Sequence, residues 1–387
     1  MSRRLLLHLG INKTGSTALQ IAFVRNRDVL REHGVHYPMS SSDARALSGE
    51  VVSGNGNALL PYLGQGGRAN DEQALAALAT LLRELDATED PTVLYSSELL
   101  FRFSPDRITA LAQLLEERGV TLQVAVYLRD IAGHALSVYA QGVKKNRVTS
   151  DLEGYLGRDG EPARYAPPLR SRLQHLRDVL GVENVRVLHY DTERAHLVPG
   201  FFSTVLRLDP AVPLDLGAGF VNRSLTVHEL ELMRHANRNL RQKSAAWALS
   251  DALMARPAPP DGRRLQLTQQ DLDHLHHQFD DEVRWINETF FPDERLTVEG
   301  GAGVIADSRV EAESTAMERH LMDALVDLAG SKARTRPGTP TGGGALKPAV
   351  PPSDAATTPR NDQDRALWRR ATGRLSRAVQ VLVRGYY

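Results

Sequence analysis

The feature that most constrains this chain is the stretch at residues 5–20, where an apolar run leads into a turn and then into a helical pattern. Residues 5–9 read Leu-Leu-Leu-His-Leu, which is typical of a buried strand. A turn with glycine at both ends follows, and Leu19, Phe23 and Leu30 then recur at the spacing of one helix face. The stretch therefore predicts a strand, a tight turn and a helix.

This turn is suited to binding an anion. The start of a helix offers free backbone N–H groups and the positive end of the helix dipole. Lys13 adds a full positive charge, and the hydroxyl groups of Thr14, Ser16 and Thr17 surround Gly15. In the Walker A loop of nucleotide hydrolases the lysine instead follows the second glycine and precedes the Ser or Thr that binds magnesium. We therefore expect a phosphate-like ligand that is not a magnesium-bound triphosphate.

Strand and helix patterns alternate along the chain. A helix followed by a strand occurs at residues 71–96, 105–128 and 169–190, and a short strand is expected at residues 34–38. Residues 40–70 are rich in Ser, Gly and Asn and predict a mobile loop. The alternation predicts an α/β fold with a parallel sheet covered on both faces, whose ligands bind beyond the carboxyl ends of the strands. The helix after residue 70 is expected to bury Leu75, Leu78, Leu82 and Leu85.

A second motif lies at one of these strand ends. Arg129 directly follows the strand predicted at residues 121–128, and Ser137 lies eight residues later inside a helix predicted over residues 131–145. A guanidinium and a hydroxyl two turns into the next helix can converge on one phosphate. The alternative is an ordinary surface ion pair, for example with Asp130. A glycine-rich turn alone also occurs for packing reasons, but the two motifs together favour a phosphate-containing ligand.

The two motifs resemble those of the sulfotransferases that use 3′-phosphoadenosine 5′-phosphosulfate (PAPS). The resemblance is carried by Lys-Thr-Gly-Ser-Thr at residues 13–17 and by Arg129 with Ser137. Bacterial carbohydrate-type members are the most similar in style. The similarity spans roughly residues 4–295, and a segment at residues 221–226 also resembles a family feature near the nucleotide.

The resemblance implies a P-loop NTPase-like fold of three layers, in which a parallel sheet carries helices on both faces. It implies that PAPS donates the sulfuryl group and is released as 3′,5′-adenosine bisphosphate (PAP), and that no metal is required. It also implies that Lys13 and its loop surround the 5′-phosphosulfate and that Arg129 and Ser137 bind the 3′-phosphate. The cofactor-binding residues carried over in this way are Lys13, Thr14, Gly15, Ser16, Thr17, Arg129, Ser137, Arg223 and Ser224.

Sulfuryl transfer also needs a base that takes the proton of the acceptor hydroxyl or amine. Glu98 lies two residues after the strand predicted at residues 92–96, close to the expected phosphosulfate loop, and Lys13 is the candidate for the leaving oxygen. These two residues are the predicted catalytic pair. The alternative is that Glu98 caps a helix start after Ser96. The reserve candidates for the base are His36, His134 and His189.

Composition narrows the classes of function. The chain has 47 basic and 47 acidic residues, so no overall field favours nucleic acid. It has no cysteine, which excludes thiolate zinc sites and cysteine nucleophiles. The lack of cysteine, of a secretory signal and of a membrane span predicts a cytoplasmic protein. The cluster His274, His276 and His277 lacks a clean i, i+4 ligand pair and is expected on a solvated helix face.

Two other functions compete with the sulfotransferase. A P-loop-type small-molecule kinase is disfavoured by the position of Lys13 and by the lack of a clear acidic strand end of the Walker B kind. A noncatalytic nucleotide-binding protein would not need Lys13, Glu98, Arg129 and Ser137 together. The acceptor is expected to be a saccharide or another small molecule, and Lys144, Lys145 and Arg147 are candidates for contacting an acidic sugar.

The predicted organisation has three parts. The sulfotransferase domain spans residues 1–310, and residues 331–363 are dense in Pro, Gly and Thr and predict a flexible linker. Residues 364–387 predict a basic amphipathic helix that contacts a membrane surface or a protein partner, or docks on its own domain. A long helix over residues 268–290 is expected to close the core with Leu272, Leu275, Phe279, Val283 and Ile286.

Overall fold

The computed structural model describes residues 3–48, 53–64, 71–157, 168–217, 223–239, 243–258, 262–293 and 295–300. Contacts between Cα atoms group the chain into two compact units. The first comprises residues 1–138, 153–222 and 266–309, and the second comprises residues 139–152, 223–265 and 310–387. The predicted domain end at residue 310, the linker at 331–363 and the helix at 364–387 lie outside the described residues.

A five-stranded parallel sheet forms the centre of the first unit. Its strands are β1 (Arg3–Leu9), β2 (Val35–His36), β3 (Thr92–Ser97), β4 (Val120–Leu128) and β5 (Val185–His189). They lie in the order β2-β3-β1-β4-β5, and every pair is parallel. Because β1 is central and pairs with both β3 and β4, the residues that follow these three strands meet at one edge of the sheet.

Helices cover both faces of this sheet, which confirms the predicted α/β fold and is consistent with a P-loop-like architecture. Leu6 belongs to the core beneath α1 and α11, while Leu5 and Leu7, which point to the opposite face, are also fully buried. On the described residues the helices are α1 (Ser16–Arg25), α2 (Arg27–Glu32), α3 (Asp43–Leu47), α4 (Leu60–Leu63), α5 (Asp71–Ala87), α6 (Pro105–Glu117), α7 (Ile131–Lys145), α8 (Leu152–Leu156), α9 (Leu169–Leu180), α10 (Tyr190–Glu193), α11 (Leu197–Thr204), α12 (Val227–Asn239), α13 (Lys243–Met254) and α14 (Gln269–Phe290).

An aromatic core beneath the first strand–helix turn fixes α1 on the sheet. Leu19 and Phe23 are fully buried as predicted, and the ring centroids of Phe23 and Phe201 lie 5.4 Å apart. His8 points into the same core, where its Nδ1 lies 2.8 Å from Ser96 Oγ. Burial lowers the pKa of His8 to about 4. The turn after β1 therefore packs on a rigid core that carries no charge.

The segment at residues 40–70 differs from the predicted mobile loop. Its described residues form α3, a 3₁₀ turn at Asn55–Leu59 and α4. Asn55 is 2% exposed, accepts the Ser96 amide at 2.9 Å and donates to the carbonyls of Leu94 and Pro38. These polar contacts fix the segment to β3, and a search for apolar periodicity does not detect them. The prediction of a loop is wrong for these described residues.

Two predicted helix faces have different outcomes. In α14 the five predicted apolar residues are all buried, and Thr268 and Asp271 form a capping box at its start. In α5 the prediction is confirmed for Leu85, which is buried, whereas Leu75 is 61% exposed. The other buried side chains of α5 are Ala74, Ala77 and Leu81, each one position before a predicted leucine, and a pattern of leucines does not detect the two alanines.

The second unit contains α12 and α13 among its described residues. Lys145 at the end of α7 pairs with Asp251 of α13 at 2.6 Å and accepts the indole N–H of Trp247 at its carbonyl. In the described part of the chain, no helix combines the length and apolar character needed to cross a membrane.

Candidate functional site

The anion loop, residues 10–17, connects β1 to α1 and contains two left-handed backbone conformations. Lys13 has φ 68° and Gly15 has φ 78°. A Cβ atom at Gly15 would also clash with Leu197, so both the conformation and the space require glycine there. Lysine rarely adopts a positive φ, and strain of this kind concentrates at functional sites. Left-handed residues are also what brings successive N–H groups together in anion-binding turns.

Two hydroxyl groups of the loop are already used inside the protein. Thr14 donates to the Ile11 carbonyl at 2.8 Å, and Ser16 donates to Glu98 Oε1 at 2.7 Å. The Thr17 hydroxyl has no hydrogen-bond partner among the described residues. The donors that the loop can offer a ligand without rearrangement are therefore the backbone N–H groups that follow Gly10, the Thr17 hydroxyl and the Lys13 ammonium.

Glu98 lies against the loop at the carboxyl end of β3. A Cβ atom on Gly10 would lie 2.9 Å from Glu98 Cα, so glycine at this position permits the two strand ends to approach. The Gly10 amide donates to the Ser97 carbonyl at 2.9 Å. In the turn that follows, Ser97 rather than Glu98 accepts the Leu99 amide. The Glu98 carboxylate thus faces Ser16 of the anion loop.

Arg129 connects the second motif to the loop. Its Nη1 lies 3.2 Å from Ser137 Oγ and 3.2 Å from the Lys13 carbonyl. Since the Ser137 hydroxyl accepts from Arg129, its own proton is free to be donated elsewhere. The Nε of Arg129 is buried and has no partner among the described residues. Arg129 and Ser137 therefore meet the backbone of Lys13, which lies 116 positions before Arg129 in the sequence.

The ion-pair partner of Arg129 is Asp191 and not Asp130. Nη2 lies 3.6 Å from Asp191 Oδ1, and the other carboxylate oxygen of Asp191 accepts the Asp130 amide at 2.7 Å. Asp130 instead accepts the Gly133 amide at 2.7 Å near the start of α7. The sequence analysis missed Asp191, although it follows β5 closely and the rule applied to the other strands points to it.

The charges of the site act on one another. Burial lowers the pKa of Lys13 below its ordinary value, and the positive charge of Arg129 lowers it further. The Glu98 carboxylate acts in the opposite direction and raises the Lys13 pKa. Two carboxylates contact this cluster, Glu98 through Ser16 and Asp191 through Arg129, so the two positive charges of Lys13 and Arg129 are opposed by two negative ones.

The reserve histidines have separate environments. His134 is 6% exposed, and its Nε2 lies 3.1 Å from the Asn12 carbonyl. Burial, followed by the charge of Arg129, lowers the His134 pKa to about 4. His36 contacts Glu84 at 3.1 Å, and His189 Nδ1 accepts the Thr192 amide. Of the three, only His134 contacts the anion loop in the described structure.

Low pH is expected to destabilise the protein through His8 and His134. Both have a pKa of about 4 in the folded state against an ordinary value of 6.5. Between these values the unfolded chain binds more protons, so stability is fully present above about pH 6.5 and is lost as pH falls toward 4. Each imidazole contributes a loss of about 2 kcal/mol between pH 7 and pH 5. Urea unfolding at both pH values measures this loss. His134→Phe should reduce the loss by about 2 kcal/mol. An unchanged pH dependence in that variant would contradict the lowered pKa of His134.

Arg223 and Ser224 lie in the second unit. Both Nη groups of Arg223 bind the fully buried carboxylate of Glu229, at 2.7 and 2.8 Å. The same guanidinium donates to the carbonyls of Arg256, Leu253 and Ser224. These contacts use the donor groups of Arg223 within its own unit, and the assignment of Arg223 and Ser224 to the nucleotide stays a prediction.

The described residues contain no group of three or more His, Asp or Glu side chains that could hold a metal ion. The α14 histidines have other partners: His274 Nε2 contacts the Leu156 carbonyl, and His276 pairs with Asp280. His276 and its partner are 38% and 53% exposed, as expected for a solvated helix face.

No protein-family model and no curated protein matches the chain. Among solved structures, a sulfotransferase from Alicyclobacillus acidocaldarius is 16% identical, with a TM-score of 0.36 over 66% of this chain and 98% of that chain. Retinol dehydratase in complex with androsterone and the inactive cofactor PAP is 12% identical, with a TM-score of 0.28 over 84% of this chain and 81% of that chain. The PezAT toxin-antitoxin system of Streptococcus pneumoniae is 14% identical, with a TM-score of 0.27 over 49% of this chain and 70% of that chain. Because these identities and TM-scores are low, we argue the function from the site itself.

Proposed function

We propose that the protein is a PAPS-dependent sulfotransferase. The observation that carries the proposal is the contact of Arg129 with both Ser137 and the Lys13 carbonyl. It joins the two motifs of the sequence resemblance into one site at the carboxyl edge of the parallel sheet. PAPS has two anionic groups, and the site offers the donors of the anion loop for one of them and Arg129 with Ser137 for the other.

The residues of the second motif, Arg129 and Ser137, which we call the arginine motif, fit a phosphate group. Ser137 has a hydroxyl proton to donate, and Arg129 has an unpaired Nε and two Nη groups with long contacts of 3.2 and 3.6 Å. A guanidinium can donate to two phosphate oxygens at once. We assign the 3′-phosphate to Arg129 and Ser137, and the 5′-phosphosulfate to the anion loop at residues 10–17.

The chemistry that follows is an in-line displacement at sulfur. The acceptor oxygen or nitrogen forms a bond to sulfur, the bond from sulfur to the 5′-phosphate oxygen breaks, and PAP leaves. The Lys13 ammonium stabilises the charge that develops on this leaving oxygen. Glu98 accepts the proton that the acceptor loses, since its carboxylate faces the anion loop through Ser16. No step in this scheme requires a metal ion.

We propose a saccharide or another small molecule as the acceptor, on the strength of the resemblance to carbohydrate sulfotransferases. A contact of residues 364–387 with a membrane or a partner is likewise a proposal.

Ligand-dependent melting tests the proposed function. PAP should raise the melting temperature, whereas ATP with magnesium should have little effect, because the loop lacks the Walker A order of lysine and hydroxyl. Stabilisation by ATP with magnesium alone would favour a kinase. Stabilisation by neither ligand would remove the PAPS assignment.

Arg129→Ala is expected to weaken PAP binding by about 10- to 150-fold. A hydrogen-bonded charge contributes about 1.5–3 kcal/mol, and Arg129 is assigned to the 3′-phosphate. Titration calorimetry measures the change, with Arg118→Ala as the matched control, since Arg118 pairs with Asp86 on the surface. Binding of PAP by Arg129→Ala as tightly as by the wild type would show that the 3′-phosphate lies elsewhere.

A further inference from the structure

Two consecutive carbonyl groups of the anion loop are held by the segment that follows β4. The Asn12 carbonyl accepts from His134 Nε2 at 3.1 Å, and the Lys13 carbonyl accepts from Arg129 Nη1 at 3.2 Å. Both donors come from the junction of β4 and α7. The loop is therefore tied to the arginine motif at two adjacent peptide groups.

These ties determine which way the loop amides point. In a trans peptide the carbonyl and the N–H point in opposite directions. With the Asn12 and Lys13 carbonyls directed at His134 and Arg129, the amides of Lys13 and Thr14 are directed away from them. Cis peptides are absent from the described residues, so this geometry applies to both groups. The two contacts thus fix the orientation of the loop N–H groups on either side of the Lys13 side chain.

The tie made by His134 uses a residue that the proposed function assigns to no ligand. Arg129, in contrast, also contacts Ser137 and Asp191 and is assigned to a phosphate. His134 is buried, and a carbonyl can only accept, so its Nε2 carries the proton in the neutral imidazole. A nitrogen that donates in this way cannot take a proton from an acceptor.

The helix start that carries His134 is itself fixed. Asp130 accepts the Gly133 amide and the Thr297 hydroxyl, each at 2.7 Å, and the Ile131 amide donates to the Thr297 carbonyl at 3.0 Å. These contacts leave the first turn of α7 little freedom to move. A histidine on this turn is a rigid support for the loop.

We propose that His134 is a positioning residue that holds the anion loop in the conformation required for turnover. This inference rests on the proposed function, because turnover here means sulfuryl transfer. His134 acts through the Asn12 carbonyl and the backbone of Lys13, and it does not touch the acceptor. It also ties the loop to the segment that carries Arg129, so the two anion sites keep a fixed separation.

Two variants of matched size test the role. His134→Phe keeps the bulk of the side chain and removes the donor, whereas His134→Gln supplies an amide donor at a similar position. We expect His134→Phe to lower kcat by about 5- to 10-fold, which corresponds to the net contribution of one hydrogen bond. The KM for PAPS and the affinity for PAP should change by less than about twofold. We expect His134→Gln to recover kcat to within about twofold of the wild type. Equal kcat in His134→Phe and wild type, or equal losses in both variants, would overturn the role.

Nuclear magnetic resonance of the full chain separates this inference from the proposed function. The wild-type spectrum should show His134 as the Nε2–H tautomer, and the Lys13, Thr14 and Gly15 amide resonances should move in His134→Phe but stay near wild type in His134→Gln. These spectra need neither PAPS nor activity. If the wild type fails to bind PAP, the proposed function fails, but the spectra still show whether His134 donates to the Asn12 carbonyl. Unmoved amides in His134→Phe would overturn the tie even in an active enzyme.

Discussion

Replacement of Glu98 by Gln is expected to lower kcat by about 10²–10⁴-fold and to leave PAP binding near wild type. The amide has nearly the shape of the carboxylate, and its oxygen can still accept the Ser16 hydroxyl that Glu98 accepts at 2.7 Å. What the amide lacks is the ability to take a proton from the acceptor. Steady-state kinetics with labelled sulfate donor, together with titration of PAP, measures the two effects separately.

The control for this variant is Glu84→Gln. Glu84 lies on α5 and contacts His36 at 3.1 Å, so the same chemical change is made at a carboxylate outside the proposed site. Its kcat should equal that of the wild type. If Glu98→Gln also turns over at the wild-type rate, Glu98 is not the base. The role would then move to one of the reserve histidines, and in His134 only Nδ1 could take the proton, because Nε2 donates to the Asn12 carbonyl.

The sheet and the edge that carries the candidate site could be predicted because they depend on local signals. Apolar runs such as residues 5–9 and 121–128 are long enough to specify buried strands, and helices between them force crossover connections. From a parallel sheet it follows that residues after the strands share an edge. This reasoning indicated Lys13, Glu98 and Arg129 as neighbours, and in the structure Arg129 contacts the Lys13 carbonyl while Glu98 contacts Ser16 of the same loop.

The contacts that fix the site could not be predicted, because they are made by polar groups at long sequence separation. Asn55 binds the Ser96 amide, and His134 binds the Asn12 carbonyl across 122 positions. Neither has a periodic signature. Arg223 is a different case, because its partner Glu229 is only six positions away but is buried, and the motif that suggested a nucleotide contact does not show this pairing. Sequence patterns indicate which elements meet, whereas hydrogen-bond partners depend on their packed geometry.

Lys13 has a proposed catalytic role and an observed left-handed conformation, and two substitutions separate their effects. Removal of its ammonium in Lys13→Ala should lower kcat by about 10²–10³-fold, the usual effect of removing one group that stabilises developing charge. Burial lowers the Lys13 pKa and marks a desolvated position, where its charge acts strongly on the leaving oxygen. PAP binding should weaken much less than kcat, because the loop amides and Arg129 remain.

Lys13→Gly should lose the same activity and yet be more stable than Lys13→Ala by about 1 kcal/mol, because glycine adopts φ 68° without the steric penalty that any other residue incurs there. The matched control is Arg207→Gly. Arg207 has φ 63° and is exposed. Its positive charge lowers the pKa of Arg4, which lies near the amino end of β1, opposite the proposed site. It should gain stability without a loss of kcat. Urea unfolding and kinetics on the three variants distinguish strain from catalysis. If Lys13→Gly keeps wild-type kcat, the ammonium has no role in turnover. If Lys13→Gly is no more stable than Lys13→Ala, the left-handed conformation of the loop is not a source of strain.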